Sequence, residues 1–389
     1  MANLRANKIV GIGSTDAGTT FDGPISLNTQ GYMYFPTGNT TDRGRGRGVI
    51  MGGSAPGVLG TIQYVEIQSL GNFVDFGELT VQVSMNSGAA SATRGLSFGG
   101  NNPTTNVIQF VTIATTSNAS DFGDLTLDRR YSTSASNNTR AVTMGGYKST
   151  SPALYSNTID FVTIATTGDA SDFGDITVAR VNGAAVNSPT RGVMCSGQID
   201  GSPYPRVNTI DFVTIASTGN ATDFGDVTQK RRGAASASSN TRGVIAGGID
   251  QPTAQNVIDF ITIASEGNAT DFGDINRLSQ TGGACSNATR GLYTGGYTST
   301  PSPAAGVNII DFCTIATSGN FIDFGDATNG VRDTAAAASS IRAITSAGGN
   351  TPSLTNVIDF VEIATTGNAL DFGDLSVTRQ SVEGHSNGH

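Results

Sequence analysis

Apolar residues return along this chain in a fixed order. Residues Ile159 to Arg180 read I-D-F-V-T-I-A-T-T-G-D-A-S-D-F-G-D-I-T-V-A-R, and near-copies begin at Ile62, Ile108, Ile210, Ile258, Ile310 and Ile358. The D-F-G element marks the register at Asp75, Asp121, Asp172, Asp223, Asp271, Asp323 and Asp371, in steps of 46 to 52 residues. Both alternating faces of I-D-F-V-T-I carry apolar side chains, which suits a strand covered on two sides. A tight T-G-N-type turn joins it to D-F-G-D-x-T, whose Phe and following aliphatic residue can fill a gap between sheets. Upstream stands an R-G-V-x strand, starting at Arg47, Arg94, Arg140, Arg191, Arg242, Arg290 and Arg342 and usually ending in a Gly pair. Gly pairs there fit a bulge or a close approach of neighbouring backbone. Before it comes a run of small residues, such as Gly88-Ala-Ala or Ala335-Ala-Ala-Ala. Helix propensity alone favours a helix at Ala335. Its register with the other small-residue runs predicts a strand instead.

Labelled a to d in chain order, strand-like parts b, c and d therefore recur seven times, with a part a before six of them. An all-strand repeat of this period predicts an all-β fold: a seven-bladed β-propeller of four-stranded antiparallel blades, with the small a strands crowded round the axis. Residues 1–46 stand outside the repeat and predict an N-terminal arm of short strands; residues 47–389 make the propeller. The first unit lacks an obvious part a. The tail Ser381 to Asn387 aligns with that part and is expected to close the ring, with Gly31 to Phe35 as its rival.

Charge and composition narrow the chemistry. The net charge of −9 argues against a general nucleic-acid binder. No apolar run is long enough for membrane insertion, and the start of the chain carries no secretion signal, so synthesis is expected in a cytoplasm. Cys195, Cys285 and Cys313 have no C-x-x-C spacing, and the two histidines, His385 and His389, both lie in the tail. Neither a metal site nor a His-based triad is expected, and no cofactor is. A kinase D-F-G binds magnesium, but here the element recurs without a catalytic-loop motif. Its paired carboxylates are expected to be structural. Asp172, Phe173, Gly174, Asp175, Arg180 and Arg191 represent that framework, with the repeated arginines as candidate partners of the carboxylates.

What varies is the b–c connection. Function tends to sit on variable loops over a rigid scaffold. Tyr147, Tyr155, Tyr204, Arg206 and Tyr297 are therefore the candidate ligand-binding residues. Arg129, Arg180, Arg231 and Arg379 are expected beneath these loops as a basic patch for anionic glycan. In the opposing reading they are spent on the D-F-G-D carboxylates.

The Gly pairs and those four arginines resemble the kelch motif, although the chain has no Trp. The wording N-x-I-D-F-V-T-I-A-T-T-G-N-A-T-D-F-G-D-L-T-x-x-R with T-R-G-V-x-x-G-G resembles repeats in virion proteins of tailed bacteriophages, notably of marine cyanobacteria. It runs from Arg47 to Arg379. Ser14 to Gly23 and Tyr32 to Gly38 resemble leader segments of such proteins. The resemblance implies a non-enzymatic virion protein, in the tail or a fibre, that attaches to host surface glycan or protein. The arm would join other virion proteins. The alternatives are a purely architectural particle component, a glycan-cleaving propeller enzyme and a cytoplasmic interaction hub.

Overall fold

The computed structural model describes residues 46–149, 154–298, 305–350, 353–381 and 383–386. The expected arm lies outside the described residues, as does Gly31 to Phe35. Seven antiparallel blades follow one another, each ordered a-b-c-d from the inside outwards. Blade 4 is typical, with strands Ala184–Asn187, Arg191–Gln198, Arg206–Thr214 and Thr222–Asp226. The inner strands of blades 2, 3, 5, 6 and 7 are Ser87–Ala90, Thr133–Ser136, Ala235–Ser238, Gly283–Ser286 and Ala335–Ala338. Each inner strand packs on the next, and the last packs on the first, which makes a ring. The Ala335 run is a strand because its side chains must fit that crowded centre.

Blade 1 takes strands b, c and d from Arg47–Met51, Thr61–Glu66 and Val74–Glu78, and its inner strand from Glu383–Ser386. The register is Gly48 to Ser386, Val49 to His385, Ile50 to Gly384 and Met51 to Glu383. The tail thus fills the slot that the sequence assigned to it, and strand b of blade 1 has no open inner edge.

Seven apolar cores hold the ring, one at each blade junction. At the junction of blades 7 and 1, for example, Ile344, Ile358, Phe360 and Phe372 meet Ile50, Val65, Ile67 and Phe73. D-F-G is a β-bulge in every blade. In blade 3, Asp160 pairs with Asp172 and Ile159 with Gly174, so Phe173 is the extra residue and turns into the core. Gly174 sits at φ +141°, and a Cβ there would lie 2.5 Å from the Gly219 carbonyl of the next blade. That next turn closes over the strand. The Asp175 amide donates to Asn220 Oδ1 at 3.0 Å, and the same bond recurs at all seven junctions. Each exposed outer edge is thereby capped by its neighbour.

The arginine that opens each b strand is a strut between blades. Arg140 lies 4.3 Å over the Phe161 ring of its own blade, and that ring meets Phe173 edge-on. Its Nη1 donates to the Ile215 carbonyl of the next blade at 3.0 Å. Arg47, Arg94, Arg191, Arg242, Arg290 and Arg342 do the same, at 2.6–3.2 Å.

Candidate functional site

The framework arginines that follow the outer strands do not form a surface patch. Arg129, Arg180, Arg231 and Arg379 are each 0% exposed. Their partners are not the D-F-G-D carboxylates either. Arg129 pairs with Asp160, Arg180 with Asp211 at 2.6 Å and Arg231 with Asp259 at 2.6 Å, in each case the Asp of I-D-F-V-T in the following blade. Arg277 reaches Asp311 from a different position in the strand. Arg379 finds Gln63 and Thr61 instead of a carboxylate, and burial lowers it to about 10. Asp172 itself caps the Gly174 amide at 3.1 Å. Buried guanidinium groups need charged or polar partners close by, and the strand-interior Asp supplies one without exposing the pair.

The b–c connections are also more regular than loops. In blade 4 the strands continue past the bulge at Ser196-Gly197, pairing Gly197 with Val207 and Gln198 with Arg206. In blades 5 and 6 short extra strands, Ile249–Asp250 and Tyr297–Thr298, pair with lengthened c strands. These hairpins rise on the face where each outer strand crosses to the next inner strand.

There they enclose a cleft of about 350 Å³ spanning blades 3, 4 and 5. Tyr147 and Tyr155 enter from the blade 3 hairpin, Gln198, Tyr204 and Arg206 from blade 4, and Gln251 from blade 5. The crossings add Arg130, Tyr131, Asn182 and Arg232. Four of the five candidate residues thus share one site. Tyr297 lines an adjoining cavity of about 460 Å³, which Gln251 also borders, and Arg332 lies 4.9 Å over the Tyr297 ring.

The cleft is built from aromatic surface and guanidinium groups. Tyr147 and Tyr155 meet edge-on at 5.9 Å, and Arg130 lies 4.6 Å over Tyr147. Tyr155 is buried and hydrogen-bonded to Gln198, while Tyr204 is 56% exposed at the mouth. Arg206 is buried and donates Nη1 to the Tyr204 carbonyl; its Nε has no partner among the described residues. Burial, and then the Arg232 guanidinium nearby, push Arg206 below its usual value. Burial raises Tyr131, against the pull of Arg130 and Arg232. No Asp or Glu is among the described residues that line the cleft, although Asp200 acts on Tyr155 and Asp250 on Arg206 from nearby. An arrangement of this kind offers charge-assisted donors and ring faces to an anion bearing apolar surface.

Arg130, Arg232 and Tyr131 went unrecognised in the sequence. The signal is the doublet. Each doublet lies past the end of its outer strand, and its second residue bridges to the next blade, Arg130 to Tyr147 and Arg232 to Ile249. In Arg129-Arg130 and Arg231-Arg232, one guanidinium enters the junction and the next faces the hairpins. No model of a known protein family matches this chain, and no curated protein matches it.

Proposed function

We propose that this propeller is a non-enzymatic recognition protein of a tailed-phage particle, and that the hairpin face attaches it to anionic glycan on the host surface. One observation carries the binding reading: a cleft of tyrosines and three guanidinium groups with no carboxylate among its described lining residues, in a protein of net charge −9. Guanidinium groups gathered in a cleft of an acidic protein favour anions there. Tyrosine faces suit sugar rings, and guanidinium forks suit their carboxylate or sulfate groups. The particle assignment rests on the wording of the repeats and the leader segments.

The test is binding of the full-length protein to host cells and to their extracted acidic polysaccharide. Tyr204→Ala and Arg232→Ala should each weaken binding at least tenfold, and rising salt should weaken the wild type. Unchanged binding by both variants, with an intact fold, removes attachment from this face. A purely architectural role then gains, since Tyr155 is already packed against Tyr147 and Gln198.

A further inference from the structure

The opposite face carries a different signal. In blades 2 to 5 the first residue of strand d is Ser120, Ser171, Thr222 or Thr270, each exposed and polar. In blades 6, 7 and 1 the same position is Ile322, Leu370 and Val74, which are 61%, 62% and 54% exposed. Two further positions change in the same arc. The residue before the b-strand arginine is Thr in blades 2 to 6 but Ile341 in blade 7, and the c–d turn residue that is Thr, Ser or Glu elsewhere is Leu70 in blade 1. Ile341 is 51% exposed and Leu70 63%. The a–b turns, the c–d turns and the starts of the d strands all lie at one end of antiparallel blades. The five aliphatic residues therefore form one arc over three consecutive blades, on the rim away from the cleft.

The fold does not require aliphatic residues there, because four blades manage the same backbone with hydroxyls. An exposed apolar patch with a polar rim marks an interaction surface. Charge identifies the partner. Asp75, Glu78, Asp323, Asp326, Asp371 and Asp374 flank the arc, all exposed, and none is in an ion pair among the described residues. A second copy of this chain would set these carboxylates against their equals. The geometry points to docking of another protein that presents an aliphatic ridge flanked by lysine or arginine. This surface is independent of the cleft and of its ligand.

Two synthetic amphipathic helices test it, one with a leucine face and lysine flanks, the other with the same face and glutamate flanks. Each is titrated into the full-length protein. The lysine peptide should bind and the glutamate peptide should not. Replacing Leu70, Ile322, Ile341 and Leu370 by Thr and Val74 by Ser should cut affinity for the lysine peptide at least tenfold. The double variant Ile322→Thr with Leu370→Thr should cut it severalfold, and it serves alone if the five-site variant melts early. Equal binding of the lysine peptide by wild type and double variant overturns the proposal, as does equal binding of the two peptides. Sedimentation of the wild type as a dimer that these substitutions dissolve also overturns it, and makes a second copy the occupant.

Discussion

Arg342, in the last blade, donates to the carbonyl of Ile67, in the first, at 3.1 Å across 275 residues of sequence. This is the same bond that joins Arg140 to Ile215 between consecutive blades. The junction that closes the ring is therefore chemically like the six within the chain. Arg140→Ala removes one such strut, a charged donor on a carbonyl together with its ring contact. It should destabilise the protein by about 1–3 kcal/mol, and Lys should restore less than half. Urea unfolding of the three proteins gives the comparison; a Lys variant as stable as wild type would show that only the charge matters.

Closure also depends on Glu383–Ser386. Truncation after Arg379 exposes the edge of Gly48 to Met51 as well as removing one strand. The shortened protein should melt well below wild type and self-associate at high concentration. A melt that does not move would mean that the remaining junctions hold the ring without its inner strand.

The inner strands leave no room for bulk. Ala184 is buried, and the neighbouring Gly243 would place a Cβ 2.7 Å from Val186. Ala184→Phe should cost about 1–3 kcal/mol or more by overpacking. Calorimetry decides, and a wild-type melting temperature would take this segment away from the axis.

The buried ion pairs predict opposite signs at two equivalent residues. Asp211→Ala leaves the Arg180 guanidinium buried and uncompensated, and should cost about 3–5 kcal/mol. Asp359 occupies the corresponding place in blade 7, but Val331 stands where the arginine would be. Among the described residues Thr328 alone bonds its carboxylate, through its amide at 3.0 Å and its hydroxyl at 2.7 Å. Burial raises Asp359 above its ordinary 3.8. The folded form then holds the proton more tightly than the unfolded form. Its contribution to stability is complete below 3.8 and is lost as pH rises through the higher folded value. Asp359→Asn should therefore be more stable than wild type at neutral pH, with the advantage shrinking on acidification into that window. Gln109 already plays the neutral part in blade 2, accepting from Thr80 and Val81. Parallel stability–pH curves for the two proteins would refute the assignment.

Much of this architecture was legible because its causes are local. A Gly pair such as Gly99-Gly100 reports its own backbone, at φ +55° and +122°. The small residues of strand a report the space around the axis. The arginine partners were not legible, since Asp160 lies 31 residues beyond Arg129 and in another blade. Arg129 lies past the end of its strand, and nothing in the alternation around Asp160 shows that the two will meet. The hairpins were hidden for a related reason. Polar, Pro-bearing sequence such as Gln198 to Arg206 looks like loop, but pairing beyond the bulge imposes strand geometry on its ends. The cleft residues came half from each kind: the tyrosines stood out by composition, and Arg130 and Arg232 only through the orientation of their neighbours.

The inner strand of blade 1 also sets how the ring responds to force. Gly48 lies opposite Ser386, so the first and last framework strands meet at the same end of one antiparallel pair. Tension applied across those two residues would open their pairing as a zipper, one rung after another, rather than shearing all four rungs together. Pulled through these two strands, the ring would open first at its own closure.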